Sequence, residues 1–262
     1  MIRLLTENDL SQCMAFLYQE PEYNIFPIGD IEAFGIRNDF VRVYGEFNVQ
    51  GILLSILLRY REHAVYYASE IRFNDEYLSV FKKDPFSLIS GKKELLMLIE
   101  PYLSGIILSD MYFCKATELV GELDDTVEIK ILKTEEEAGK LHDLLMTISA
   151  FQITNNKVAF IKGKLDSIKM GLCLYIEKDG KIVSTVSTTA ETTKSAMVVA
   201  VATDKDYRKM GYASILMKKL MSLYINEKKK SLCLFYDNPQ AGNIYLRLGF
   251  KEIGLWTMSR RE

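Results

Sequence analysis

The stretch from Val201 to Ser214, VATDKDYRKMGYAS, constrains this chain more than any other. It closes an apolar run, MVVAVAT, that reads as a strand buried on both faces and therefore central in its sheet. From Gly211 onward, Ala213, Leu216, Met217, Leu220 and Tyr224 recur at helical spacing, so a helix with one apolar face follows. A strand that feeds a loop opening a helix leaves several backbone N–H groups without intrahelical acceptors, with about half a positive charge behind them. Anions bind at such a terminus. Gly211 lets a phosphate approach the backbone with no Cβ in the way, and Arg208 and Lys209 add positive charge. The pattern suits a diphosphate.

The surrounding patterns give an α/β chain with a mixed, mostly antiparallel central sheet flanked by helices. In the second half, VEIKIL reads as a strand and TEEEAGKLHDLLMTI as a helix opened by Thr134 with Glu137 three residues on, a capping box. A second helix follows, then two strands joined at Asp179-Gly180, a dipeptide that tolerates positive φ in a tight hairpin. After the glycine loop and its helix come a strand SLCLFYD, a helix NPQAGNIYLRLG capped by Asn238 with Pro239 at its first position, and a final strand FKEIGLWTM. The order β-α-α-β-β-β-α-β-α-β is nearly repeated in the first half, although no close residue-level repeat accompanies it. Two tandem modules are expected, residues 1–126 and 127–262. Where the second half has its glycine loop the first has EIRFNDEYLSV, which offers neither glycine nor a closely spaced basic pair. A phosphate would find no cradle there.

Composition narrows the function classes. The four cysteines, Cys13, Cys114, Cys173 and Cys233, lie far apart without a C-x-x-C pair, and His63 and His142 are isolated, so no metal centre, disulfide framework or nucleophilic triad is indicated. Buried thiols and structural histidines are expected. No window approaches eighteen apolar residues and the N-terminus lacks a signal-peptide run, which points to a cytoplasmic protein without a membrane partner. Residues 1–130 hold 12 Lys and Arg against 21 Asp and Glu, a balance of −9, whereas residues 131–262 hold 21 against 14, a balance of +7. The basic half has no arginine-rich stripe with interleaved aromatics, and EKKK at Glu227 to Lys230 reads as a solvated helix C-terminus, so nucleic acid is not the expected partner.

The pattern V-x-T-x-x-x-Y-R-x-x-G-Y-A-S resembles motif A of the GNAT superfamily, whose R/Q-x-x-G-x-G/A loop holds the diphosphate of acyl-CoA; Ala213 takes the last small position. Thirty residues later, Asn238, Ala241, Tyr245, Gly249 and Phe250 fill the superfamily pattern N-x-x-A-x-x-x-Y-x-x-x-G-F. The resemblance spans about residues 127 to 258. It implies a GNAT N-acetyltransferase with acetyl-CoA as co-substrate, no metal, and a small-molecule amine as acceptor, to which the acidic first half would steer a cation. It implies that Val201, Ala202 and Thr203 face the pantetheine arm and that Arg208, Lys209, Met210, Gly211, Tyr212 and Ala213 hold the diphosphate. Met210 departs from the commoner small or basic residue and makes the loop less cationic. Asn238 would contact the coenzyme, and as a helix cap it serves equally well without one. Tyr245 matches the tyrosine beside the thioester sulfur, the catalytic acid; as part of an Ala241, Tyr245 and Leu248 stripe it would instead be core packing. Glu191 is a weak candidate for the base, a solvated turn or a water relay being the competing readings. The alternatives to an enzyme are a catalytically silent coenzyme A-binding module and, with no G-x-x-x-x-G-K-[ST] in its support, a nucleotide-binding regulator.

Overall fold

The computed structural model describes residues 1–124, 126–149, 151 and 153–261. The chain runs β1 (Ile2–Leu4), α1 (Leu10–Leu17), α2 (Ile25–Phe34), β2 (Val41–Phe47), β3 (Leu53–Tyr60), β4 (His63–Ala68), α3 (Tyr77–Lys83), β5 (Leu88–Lys92), α4 (Lys93–Ile99) and β6 (Ile106–Ala116). It continues as β7 (Lys130–Ile131), α5 (Glu135–Met146), α6 (Lys157–Ser167), β8 (Cys173–Lys178), β9 (Lys181–Thr189), β10 (Ser195–Thr203), α7 (Tyr212–Met221), β11 (Ser231–Tyr236), α8 (Pro239–Arg247) and β12 (Lys251–Arg261). The same order of strands and helices therefore occurs twice. Two compact units emerge, one of Met1–Phe113, Phe235–Asp237 and Glu252–Glu262, the other of Cys114–Leu234 and Asn238–Lys251.

In the first unit the strand order is β1-β2-β3-β4-β5-β12-β6. The pairings among β1 to β4 are antiparallel, β4 and β5 run parallel, and β12 closes antiparallel on β5 with Trp256 opposite Lys92. Alternation along β3 distributes its apolar residues to both faces. Ile56 and Leu58 pack with Cys13, Phe16 and Leu17 of α1 and Ile28 and Ile31 of α2, while Leu57 packs with Tyr77 of α3 and Leu95, Leu96 and Ile99 of α4. Tyr66 and Tyr67 divide between the same two cores, as the sequence suggests for residues of this type.

The second unit has the order β11-β10-β9-β8-β7. Its hairpin between β8 and β9 turns at Asp179 (φ 48°) and Gly180 (φ 75°), both left-handed as the tight turn demands. Thr134 caps α5 by accepting from the Glu137 N–H, and the Glu137 carboxylate returns the bond to the Thr134 N–H, so the expected capping box is formed. Leu132, Leu141, Leu145, Tyr175, Ile182 and Ala202 form the core beneath α5 and α6, with Phe151 packed against it. Leu216, Met217, Leu220 and Tyr224 are fully buried, so the apolar stripe read from Gly211 onward faces inward.

Two elements differ from the sequence reading. VEIKIL yields only the two-residue β7; Leu132 donates one more bond, to the Cys173 carbonyl, and is then drawn into the core. The helix opened by Gly211 does not stay α-helical: at Ser222–Glu227 it widens into a π-helix. The widening accompanies Tyr224, whose hydroxyl bonds Thr188 Oγ1 at 2.8 Å and Glu191 Oε2 at 2.8 Å.

Candidate functional site

β10 and β11 pair in parallel where Ser195 to Met197 face Ser231 to Cys233. Among the described residues, the edge of β10 that faces β11 carries no ladder beyond Met197. On its other side β10 remains paired to β9, with one extra residue between Val199 and Ala202. Ala200, at φ 53°, supplies this bulge. Ser184 of β9 steadies the far end, its Oγ bonding the Ala202 carbonyl at 3.1 Å and Thr203 Oγ1 at 2.9 Å. Val201 and Thr203 are half-buried and Ala202 is buried. The last third of β10 thus presents an open backbone edge, where an extended chain can add as another strand does.

The loop that follows is organised by its own backbone. Asp204 accepts from the Asp206 N–H at 2.9 Å and caps a short 3₁₀ turn at Lys205–Tyr207. Arg208 is extended and donates Nε to the Thr203 carbonyl at 3.3 Å. Lys209 (φ 65°) and Gly211 (φ 83°) are both left-handed. A β-carbon on Gly211 would meet nothing within 4 Å, so the space above this residue is open, and conformation rather than crowding requires the glycine. Ile215 donates the first helical bond, to Gly211, leaving the N–H groups of Tyr212, Ala213 and Ser214 without an acceptor one turn back. Tyr207 and Tyr212 stack at 6.5 Å across the loop. Arg208, Lys209 and Met210 are exposed. This is an anion cradle of backbone donors with two exposed cationic side chains at its rim.

Asn238 and Tyr245 sit on α8. Asn238 is exposed and its side-chain oxygen accepts from the Gln240 N–H at 2.9 Å, so the capping role is realised. Tyr245 is 8% exposed and meets Phe250 edge to face at 6.1 Å. Burial, with a smaller contribution from the Cys114 thiol, pushes its phenol up to about 12. Tyr245 therefore holds its proton throughout the physiological range. Glu191 is not a solvated turn: its carboxylate, 17% exposed, takes Lys230 at 2.8 Å, Lys228 at 3.0 Å and the Tyr224 hydroxyl. These partners also engage two lysines of EKKK, which accordingly pin the β9 to β10 turn as well as ending a helix. A carboxylate so saturated is a poor base.

All four cysteines are buried, and His142 packs on Phe160 with Nε2 3.0 Å from the Thr154 carbonyl. Among the described residues, no group of three or more His, Cys, Asp or Glu could hold a metal, and no helix is long and apolar enough to cross a membrane. In the first unit, the segment from β4 to α3 contains no left-handed residue, and Arg72 and Asn74 are committed to the buried Glu46 at 2.6 and 3.0 Å. Sequence reading overlooks one residue. Asp30, on α2, is half-buried, and burial alone pushes its carboxyl up to about 7. The sequence signal is weak, because Asp30 shares the segment IFPIGDIEAF with a second acid, Glu32.

Residues 146–250 match the acetyltransferase (GNAT) family. No curated protein matches the sequence. Among solved structures, a Drosophila protein is similar over 100% of this chain and 98% of its own, with a TM-score of 0.72 at 11% identity. A tandem GNAT protein from the clavulanic acid biosynthesis pathway is similar over 100% and 98%, with a TM-score of 0.64 at 9% identity. A GCN5-related N-acetyltransferase-like protein from Streptococcus suis is similar over 97% and 99%, at 0.57 and 15%. At such identities the likeness is one of fold, and the fold is the GNAT fold in its tandem form.

Proposed function

We propose, from the match of residues 146–250 to the acetyltransferase (GNAT) family and a fold similar to that of a tandem GNAT protein, that the protein transfers an acetyl or other acyl group from acyl-CoA to a primary amine. The observation that carries the reading is the junction of an open strand edge with an open, left-handed anion cradle in one continuous segment, Val201 to Ala213. A diphosphate with an extended arm is a ligand of that form. The N–H groups of Gly211, Tyr212 and Ala213 would hold the diphosphate, with Arg208 and Lys209 adding charge at the rim; Met210 contributes its backbone alone. The edge from Val201 to Thr203 would pair with the pantetheine amides, and Asn238, already a cap, would stand at the start of α8 beside them.

Acyl-CoA supplies an activated thioester carbonyl; the protein has to orient the amine, meet negative charge on the carbonyl oxygen and assist the departing sulfur. A backbone N–H of β10 left unpaired by the splay is the donor for the oxygen, a role that typically contributes about 3 to 4 kcal/mol. Tyr245 stands for the sulfur. With its phenol near 12, complete proton delivery to a thiolate of ordinary basicity, near 8.5, is uphill by roughly three units. Tyr245 therefore acts mainly as a hydrogen-bond donor that stabilises developing thiolate charge, and the proton that the attacking nitrogen sheds as the amide forms passes to the departing sulfur through water. In the first unit Arg72 of the counterpart loop is paired to Glu46 of β2, which offers a diphosphate no comparable cradle, and buried thiols suit the reducing cytoplasm.

Incubation with acetyl-CoA and a panel of primary amines, following free thiol, tests the reading. Amine-dependent thiol release supports it. Coenzyme A binding without such release would instead identify a silent binding module.

A further inference from the structure

The turn between β9 and β10 is tied to the C-terminal end of the α7 segment by a compact polar network. Glu191 Oε1 takes the Lys230 ammonium at 2.8 Å and the Lys228 ammonium at 3.0 Å, and Oε2 takes the Tyr224 hydroxyl at 2.8 Å. That hydroxyl also meets Thr188 Oγ1 of β9, and the Lys228 ammonium lies 4.2 Å from the centroid of the Tyr224 ring. Burial works against ionisation of Glu191, but Lys230, Tyr224 and Lys228 outweigh it and hold the carboxyl below its usual range, so the group is an anion at neutral pH. A largely buried ion-pair network of this kind is weak evidence for stability, because desolvation offsets much of the attraction. Its placement is more informative.

The network sits at the closed end of the gap between β10 and β11. Beside it the Ser231 N–H donates to the Lys194 carbonyl at 2.9 Å, and the parallel ladder begins at the next step, where Ser195 faces Ser231. Among the described residues that ladder is three pairs long, a short hinge for two strands that then part. β10 leaves from the turn that carries Glu191. β11 leaves from Lys228 to Lys230, where Lys229 is left-handed (φ 58°) and the Lys230 N–H returns to the Tyr224 carbonyl at 2.8 Å. One carboxylate thus holds the roots of both strands. The π-helix at Ser222–Glu227 belongs to the same device: it continues α7 without a break and presents Tyr224 to Glu191, so a single helical rod joins the anion cradle to the network.

Without the carboxylate, the two ammonium groups would stand at the root of the strands with no counter-charge from this network, and Tyr224 would lose one of its two hydroxyl partners. The strands would then part at a different angle. We propose that Glu191 is a positioning residue for the coenzyme: by holding Lys228, Lys230 and Tyr224 together it sets the opening between β10 and β11, and with it the fit of the pantetheine arm against Val201 to Thr203. The proposal rests on the acyl-CoA reading above, in which that edge receives the arm.

Calorimetric titration with coenzyme A compares wild type with Glu191→Ala, which removes every contact of the carboxylate, and with Glu191→Gln, which keeps an acceptor for the Tyr224 hydroxyl but no charge. Thr134→Ala, which removes the α5 cap and touches none of these residues, is the control for lost stability alone. The expected result is coenzyme A affinity weaker by about tenfold in Glu191→Ala and by about threefold in Glu191→Gln, the scale of one hydrogen bond, with Thr134→Ala within about twofold of wild type. In the steady state, KM for acetyl-CoA rises by the same factors while KM for the amine is unmoved. All titrations are made well below the onset of melting, where a merely structural role lowers the melting temperature and leaves affinity unchanged. Unaltered affinity in Glu191→Ala, or an equal loss in Thr134→Ala, overturns the proposal and keeps the acyl-CoA reading. Should Glu191→Ala fail to fold, Glu191→Gln decides in the same way: weakened affinity supports positioning and unaltered affinity overturns it. A wild-type protein without affinity for coenzyme A overturns the acyl-CoA reading, and the proposal with it.

Discussion

Replacing Asp30 by Asn should make the protein more stable at neutral pH, by an amount that grows with pH in a defined window. The carboxyl titrates near 7 in the folded chain against 3.8 in the unfolded one. The folded state therefore binds one proton more than the unfolded state between these values, and stability falls as pH rises through them. The slope is about 1.4 kcal/mol per pH unit and the full excursion about 4 kcal/mol, complete above pH 7. No charged side chain shares in the shift, so no partner is orphaned by the substitution. An Asn amide buried without a partner costs about 1 to 3 kcal/mol, but this cost does not vary with pH. The readout is the difference in unfolding free energy between wild type and Asp30→Asn, from urea melts at half-unit steps between pH 5 and 8.5. A difference that climbs by more than about 2 kcal/mol across this range and then levels is expected. A difference flat with pH would mean that Asp30 is hydrated or paired, and the desolvation argument would fall.

Other expectations concern the donor side. Gly211→Ala forces a β-carbon into a left-handed backbone with no steric clash, at a cost of about 1 to 2 kcal/mol in the loop; thermal denaturation should shift by a few degrees while calorimetric coenzyme A affinity falls severalfold, and unchanged affinity would count against the cradle. Tyr245→Phe should lower kcat by tenfold or more with little change in KM for acetyl-CoA, on the order of a lost hydrogen bond to a charged sulfur; a variant that turns over as fast as wild type at every pH removes Tyr245 from the chemistry. Asn238→Ala loses the α8 cap and should cost about 1 kcal/mol in a urea melt.

How far the sequence reaches is best seen at particular residues. The apolar run before Thr203, the glycine at 211 and the cap at Asn238 are local signals, each set by backbone requirements within a few residues, and the structure realises all three. The splay of β10 from β11 is not local. It depends on a pairing that stops after Met197 and on a left-handed Ala200, a residue that carries no turn signature. Glu191 illustrates the same limit: its neighbours in sequence, ETTKSA, suggest solvent, whereas its actual partners come from a π-helical segment and a lysine more than thirty residues away. Asp30 escapes notice because acids in a short helical segment, here Asp30 and Glu32, are ordinarily solvated, and its burial depends on packing that the local sequence does not carry.

The central claim is that Val201 to Ala213 holds an acyl-CoA whose acyl group leaves to an amine. Its most direct test is mass spectrometric detection of the N-acetylated amine after incubation with acetyl-CoA, alongside the thiol released. Product equal to thiol, with both reduced in Gly211→Ala, is the predicted result. Thiol release without an acetylated amine, or coenzyme A bound with neither, would contradict it.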